Sequence, residues 1–145
     1  DTGVKASEFL RGFNVVVVTH FTGFREPGEQ QMSPENRRTI ERNGAVVLTC
    51  GHPFMGVGRA IRGKFDTVSS NEIVAQTLRL FSQGTKVAVE ITLMAADAGL
   101  ISSDKEVIAI AGTGKGADTA LVLWPANSSR LFDLKVREII ALPRG

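Results

Sequence analysis

The sequence predicts an α/β protein: a three-layer, doubly wound mixed sheet with helices on both faces. Three observations predict it. Residues 13–19 (FNVVVVT) and 45–49 (AVVLT) are continuous apolar, largely β-branched runs, the pattern of strands covered on both faces. Helical patterns alternate with these runs, as in layered α/β folds. Two further runs, 107–111 and 119–124, are joined by too few residues for a crossover. They must pair antiparallel, which makes the sheet mixed.

The elements follow in order. Asp1 or Thr2 caps a helix reaching about Arg11, with Gly12 as its stop. The first strand is 14–19. Residues 20–31 are polar and carry Gly23, Pro27 and Gly28, hence a loop longer than most connections. Ser33 and Pro34 open a helix as N-cap and N1, and Gly44 ends it after Asn43. The second strand is 45–49, followed by a turn at 50–53. Residues 54–61 give a short helix and 63–68 a loop. Ser69-Ser70-Asn71-Glu72 reads as a capping box, with Ile73, Val74, Thr77, Leu78 and Phe81 at helical spacing behind it. Gly84 reads as the cap of that helix, at positive φ. Residues 85–98 fit both periods. Helix is preferred, because Met94-Ala95-Ala96-Asp97-Ala98 is a strong helix-forming tail and Gly99 supplies a stop. Strands return at 107–111, 119–124 and 136–142, the last ended by Pro143.

The 145 residues fit a single domain. The chain opens on Asp1-Thr2-Gly3, which reads as a helix start, so a further N-terminal segment is expected upstream. One cysteine, Cys50, cannot form an internal disulfide, and a cytoplasmic setting is the default. Net charge is +2, from 17 basic and 15 acidic residues, too little to argue for nucleic acid. No run of 18 apolar residues occurs, so no membrane partner is expected.

The stretch richest in chemical information is the loop Gly112-Thr113-Gly114-Lys115-Gly116-Ala117-Asp118. Its glycines let the backbone turn tightly and approach a ligand. Successive amides in such a turn form an anion-binding concavity, and Lys115 adds a charge. The loop is neither a Walker A, because its lysine precedes Gly116, nor G-x-G-x-x-G, because Ala117 stands where glycine is required. A hairpin turn that is merely glycine-rich is the open alternative.

In open α/β sheets ligands bind beyond the carboxyl ends of strands. Three such ends are readable: Thr19-His20-Phe21-Thr22, Cys50-Gly51-His52 and Gly112-Thr113-Gly114. Both histidines fall there. Each is either an acid–base group or a residue that ties down its loop. The expected site places a phosphate on the amides of Gly112 to Gly116, with Thr113, Thr119 and Lys115 as added donors. Asp1 and Thr2 close it with a helix N-terminus, and Thr19, His20 and Thr22 meet the rest of the ligand. No C-x-x-C or H-E-x-x-H spacing is present, so no metal is expected. Cys50 is a buried, inert thiol next to a strand or one half of a Cys–His pair with His20 or His52. Glu90 and Asp97 share one helical face, as structural hydrogen-bonding groups or ligand contacts. Arg37, Arg38, Arg42, Arg59, Arg62 and Lys64 read as solvated faces.

Residues 19–24 (THFTGF), 89–101 (VEITLMAADAGLI), 112–126 (GTGKGADTALVLWPA) and 137–144 (REIIALPR) together carry a resemblance. The chain resembles the small stand-alone archaeal and bacterial proteins similar to the C-terminal α/β domain of pyruvate kinase, a group mostly of unassigned function. The resemblance implies a doubly wound sheet without the kinase's catalytic barrel, hence no pyruvate kinase activity. It also implies that the segment expected upstream is an N-terminal βα segment in size. In the kinase, a turn and a Gly-rich loop between the last two strands hold a phosphorylated effector. The loop here is shorter and differently spelled. Some stand-alone proteins of this kind bind flavin mononucleotide (FMN), so FMN is the cofactor that the resemblance implies.

Three function classes follow. The first is a module binding a small phosphorylated ligand, FMN foremost. The second is an enzyme using His20 or His52 on a phosphorylated metabolite. A regulatory or assembly domain is a third, and self-association into a homo-oligomer is left open.

Overall fold

The computed structural model describes residues 1–144. They form a mixed α/β protein with six helices, a small parallel sheet and a three-strand antiparallel sheet. The chain divides into two compact units, the first from Asp1 to Gly51 and the second from His52 onward.

The first unit contains α1 (Thr2–Phe9), β1 (Val16–Val18), α2 (Pro34–Arg42) and β2 (Val46–Leu48). β1 and β2 pair in parallel, Val16 opposite Val46 and Val18 opposite Leu48. Both strands are shorter than their apolar runs, because only the hydrogen-bonded stretch is regular. The ladder is extended one residue at each end, by Val46 N–H to Val15 O and Thr19 N–H to Leu48 O, both at 2.9 Å. α2 begins as its sequence dictates: Ser33 Oγ accepts from the Asn36 amide at 3.2 Å and Pro34 opens the first turn. Ile40 is the residue of α2 that is buried. Asn43, at the end of α2, donates through Nδ2 to Ser7 Oγ of α1 at 2.9 Å.

The second unit contains α3 (Gly56–Phe65), α4 (Ser70–Arg79), α5 (Gln83–Asp97), β3 (Val107–Ala111), β4 (Thr119–Trp124), a 3₁₀ segment (Ser128–Asp133) and β5 (Lys135–Ala141). Its strands are antiparallel in the order β3-β4-β5, with Ala109 opposite Leu121 and Val107 opposite Leu123. The ladders thus fall in two sheets, and β3 bonds to β4. α5 is the central element. Ala88 packs with Ala109, Ala111, Leu121 and Leu123, while Val89 and Leu93 pack with Phe54 and Ala75. The helical alternative for residues 85–98 is the one adopted, and Gly99 follows at φ 68°.

Three expectations are corrected. α3 runs on through Gly63 and Lys64 to Phe65, where Asp66 turns left-handed at φ 47°. Glu72 does not complete a capping box: its carboxylate pairs with Arg62, and the Ser69 hydroxyl makes no cap bond. Gly84 does not end a helix at positive φ; it lies in the first turn of α5. The reason is Ser82, whose Oγ accepts from the Thr85 amide at 2.8 Å and starts a new helix three residues after α4 stops. Among the described residues no helix is long and apolar enough to cross a membrane.

Candidate functional site

The loop from Gly112 to Asp118 links β3 to β4 and is exposed from Thr113 to Ala117. It closes on itself: a Cβ on Gly112 would lie 2.3 Å from the Gly116 carbonyl oxygen. Gly114 and Gly116 take φ of 77° and 82°, the left-handed region that glycine adopts without strain. A Cβ at either would meet no atom within 4 Å, so solvent reaches this backbone directly. The Lys115 amide donates to the Thr113 carbonyl at 2.9 Å.

Two of the anticipated donors already have an acceptor. Asp118 takes the Thr113 amide on Oδ2 at 2.9 Å and the Thr119 hydroxyl on Oδ1 at 2.7 Å. Thr119 Oγ1 also lies 3.0 Å from Ser82 Oγ, and Ser82 Oγ 2.9 Å from Thr85 Oγ1. One proton per hydroxyl orients this row: Thr85 to Ser82, Ser82 to Thr119, Thr119 to Asp118. The hydrogen bond from Thr119 is the largest influence on the Asp118 carboxyl. With those from Thr113 it outweighs desolvation and holds the group below the usual aspartate range. The first turn of α5 reaches this point as well. A Cβ on Gly84 would lie 2.1 Å from Thr119 Oγ1 and 2.9 Å from Asp118 Oδ1. The loop, Thr119 and the start of α5 are therefore one cluster within the second unit.

The remaining expected residues belong to the first unit. Asp1 is the N-cap residue of α1, without a side-chain cap bond, and Thr2 is its first helical residue. Thr19 is buried at the end of β1, with its hydroxyl donating to the His20 carbonyl at 2.8 Å. Thr19 Oγ1 lies 2.8 Å from Thr49 Oγ1, which accepts from Arg37 Nη2 at 2.7 Å. Arg37 is thus not merely part of a solvated face. His20 stacks on Phe24 at 3.9 Å and bonds through Nδ1 to Gln31. Gln30 Nε2 donates to the His20 carbonyl at 3.0 Å and to Thr22 Oγ1 at 3.4 Å. These bonds fasten the 20–31 loop. A shallow depression of about 440 Å³ on α2 is lined by Glu35, Arg38, Glu41 and Arg42, none of which belongs to the expected site.

A second polar cluster lies in the core of the second unit. Lys86 and Glu90, each 1% exposed, form an ion pair one turn apart on α5. Glu90 Oε1 also accepts from the Phe54 amide at 2.8 Å, and His52 Nδ1 stands 3.6 Å from Oε2. Burial alone would raise the Glu90 pKa. The hydrogen bonds from His52, Lys86 and Phe54 and the lysine charge outweigh it and hold the carboxyl below its ordinary value. Asp97 is exposed instead, accepting from Asn127 Nδ2 at 3.2 Å and the Ser128 amide at 2.9 Å. Glu90 and Asp97 therefore serve different surroundings. The sequence singled out Glu90 and missed Lys86. The available signal was the i, i+4 spacing of two opposite charges inside an otherwise apolar helix.

No protein-family model matches the chain.

Proposed function

We propose that this chain is a small-ligand-binding α/β protein, similar to the C-terminal α/β domain of pyruvate kinase, that binds a phosphorylated ligand at the 112–118 loop. FMN is the first choice of ligand. The doubly wound three-layer architecture, the cytoplasmic setting and the absence of pyruvate kinase activity belong to the same proposal. The observation that carries it is the exposed left-handed backbone at Gly114 and Gly116, with Lys115 between them. A phosphate can approach such a backbone without meeting side chains. The glycines fit the phosphate of FMN; the charge of Asp118 opposes it. Bound flavin would supply redox chemistry, and the loop's part is to hold and orient the phosphate end.

Titration of FMN with the purified chain, followed by flavin fluorescence, tests this. Saturable quenching in the parent and its loss in Gly114→Val is the expected result. A valine at φ 77° is strained, and its side chain covers the approach to the backbone. Unchanged flavin fluorescence with the parent would defeat the FMN assignment. Equal affinity in Gly114→Val would reduce the loop to a turn. Lys115→Ala should weaken binding by about 1–2 kcal/mol, the scale of one charge-assisted hydrogen bond.

The enzymatic alternative rests on His20. His52 has a side chain only 8% exposed and is turned to Glu90, whereas His20 is exposed. His20→Ala should abolish turnover of a phosphorylated metabolite if this alternative holds.

A further inference from the structure

We propose that Asp118 is a built-in competitor for the ligand phosphate, its carboxylate holding the loop's anion position until a phosphorylated ligand displaces it. This rests on the phosphate-binding role of the loop proposed above. It starts from what the carboxylate touches. Its two oxygens take one backbone amide, that of Thr113, and one hydroxyl, that of Thr119. A phosphate on the loop amides that also takes the added donors expected at Thr113 and Thr119 draws on the same two hydrogens. The Thr119 hydroxyl cannot serve both, because it has a single proton. The Thr113 amide likewise points at one acceptor. Two anions sharing these donors would stand within a few ångströms of each other and repel. Ligand and carboxylate are therefore mutually exclusive at Thr113 and Thr119.

The loop is built to let the exchange happen. Residues 113–117 are exposed, and Asp118 is half-buried at their base. The Thr119 hydroxyl stays in place through Ser82, 3.0 Å away on the first turn side of α5, whichever acceptor it serves. Lys115 adds a positive charge on the solvent side. The consequence is selectivity. A phosphate monoester brings close to two negative charges and several acceptor oxygens, and outcompetes one carboxylate. A monoanionic carboxylic acid offers nothing that Asp118 does not already supply. The ligand class is thus a phosphate monoester rather than a carboxylate metabolite.

The experiment compares the parent, Asp118→Asn and Asp118→Ala for inorganic phosphate, acetate and FMN. The Thr113 amide is followed by NMR, and thermal melts check folding. Removing the competitor should tighten phosphate and FMN binding by on the order of tenfold, since a like charge next to the ligand is lost. Acetate should bind Asp118→Ala but not the parent. In the parent, saturating FMN should shift the Thr113 amide resonance. Binding that weakens or stays equal in both folded variants would overturn the competitor and leave the loop as the site. A parent that binds FMN with its Thr113 amide unmoved would do the same without any variant. No phosphate or FMN binding by parent or variants would overturn the competitor and the proposed function together. A silent parent with binding variants would overturn the exchange, because the ligand would then never displace the carboxylate.

Discussion

At Gly84 a hydrogen is the largest side chain that the packing admits. The Cβ of an alanine there would fall 2.1 Å from Thr119 Oγ1 and 2.5 Å from Thr119 Cβ, atoms of a stiff β-branched residue that is 2% exposed. Neither partner has room to give, so Gly84→Ala should destabilise by about 1–3 kcal/mol, the cost of overpacking. A thermal melt superimposable on the parent's would refute this. Glycine in a sequence signals either a left-handed turn or a close approach, and the letter does not say which. At Gly114 the turn was legible, because glycines cluster there. At Gly84 the same letter followed a helical pattern and looked like a stop. Ser82 was the missed clue, a helix start two residues earlier. Asp118 was legible as part of the loop but not as its occupant. Whether a carboxylate folds back onto an amide five residues away depends on the turn geometry, which no residue pattern in the loop specifies.

α5 is the element of the second unit with the most buried residues, and it also holds that unit's least apolar burial. Lys86 and Glu90 are buried together, an arrangement whose desolvation cost offsets much of the attraction. Removing one partner leaves the other charge uncompensated. Glu90→Leu alone or Lys86→Met alone should therefore cost about 3–5 kcal/mol, while the joint replacement Lys86→Met with Glu90→Leu should cost less than either single change. Denaturant unfolding of the four proteins would show a double variant as unstable as the sum of the singles if the pair were not coupled. The pair also sets a pH dependence. The Glu90 pKa is lowered in the folded state, so the unfolded state binds the proton more tightly. Its stabilising contribution is full above the unfolded carboxyl range, about pH 4.3, and is lost as pH falls through the lower folded value. Glu90→Gln should flatten the fall of stability in acid relative to the parent. An unchanged acid limb in the variant would show that Glu90 does not set it. The helical period of this segment was legible because its tail is alanine-rich. The lysine was not, because charged residues are so rarely buried that a reader assigns them to solvent.

Across the whole molecule, local identity was easier to read than neighbourhood. The β-branched runs marked β1 and β2, and the short connection fixed the antiparallel pairing of β3 with β4. That β3 forms the edge of its sheet, with β4 as its one neighbour among the described residues, is a long-range matter, and nothing in Val107–Ala111 encodes it. Orientation is different, since alternation along a strand assigns each residue to a face. In β3 and β4 that alternation is clear: Ala109, Ala111, Leu121 and Leu123 are buried, while Ile108 is 63% exposed and Ile110 47%. The register places Ala109 opposite Leu121 and Ile108 opposite Val122. A slip of one residue would exchange the two faces. Two substitutions separate these registers. Leu121→Ala removes a fully buried side chain packed against Ala88 of α5, and should cost about 2–5 kcal/mol. Ile108→Thr changes a residue that faces solvent and keeps its β-branch, and should stay within about 0.5 kcal/mol of the parent. Equilibrium unfolding in urea measures both. If Ile108→Thr proved the costlier of the two, the faces would be reversed, and the Asp118 and Thr119 contacts at the head of β4 would have to be rebuilt with them.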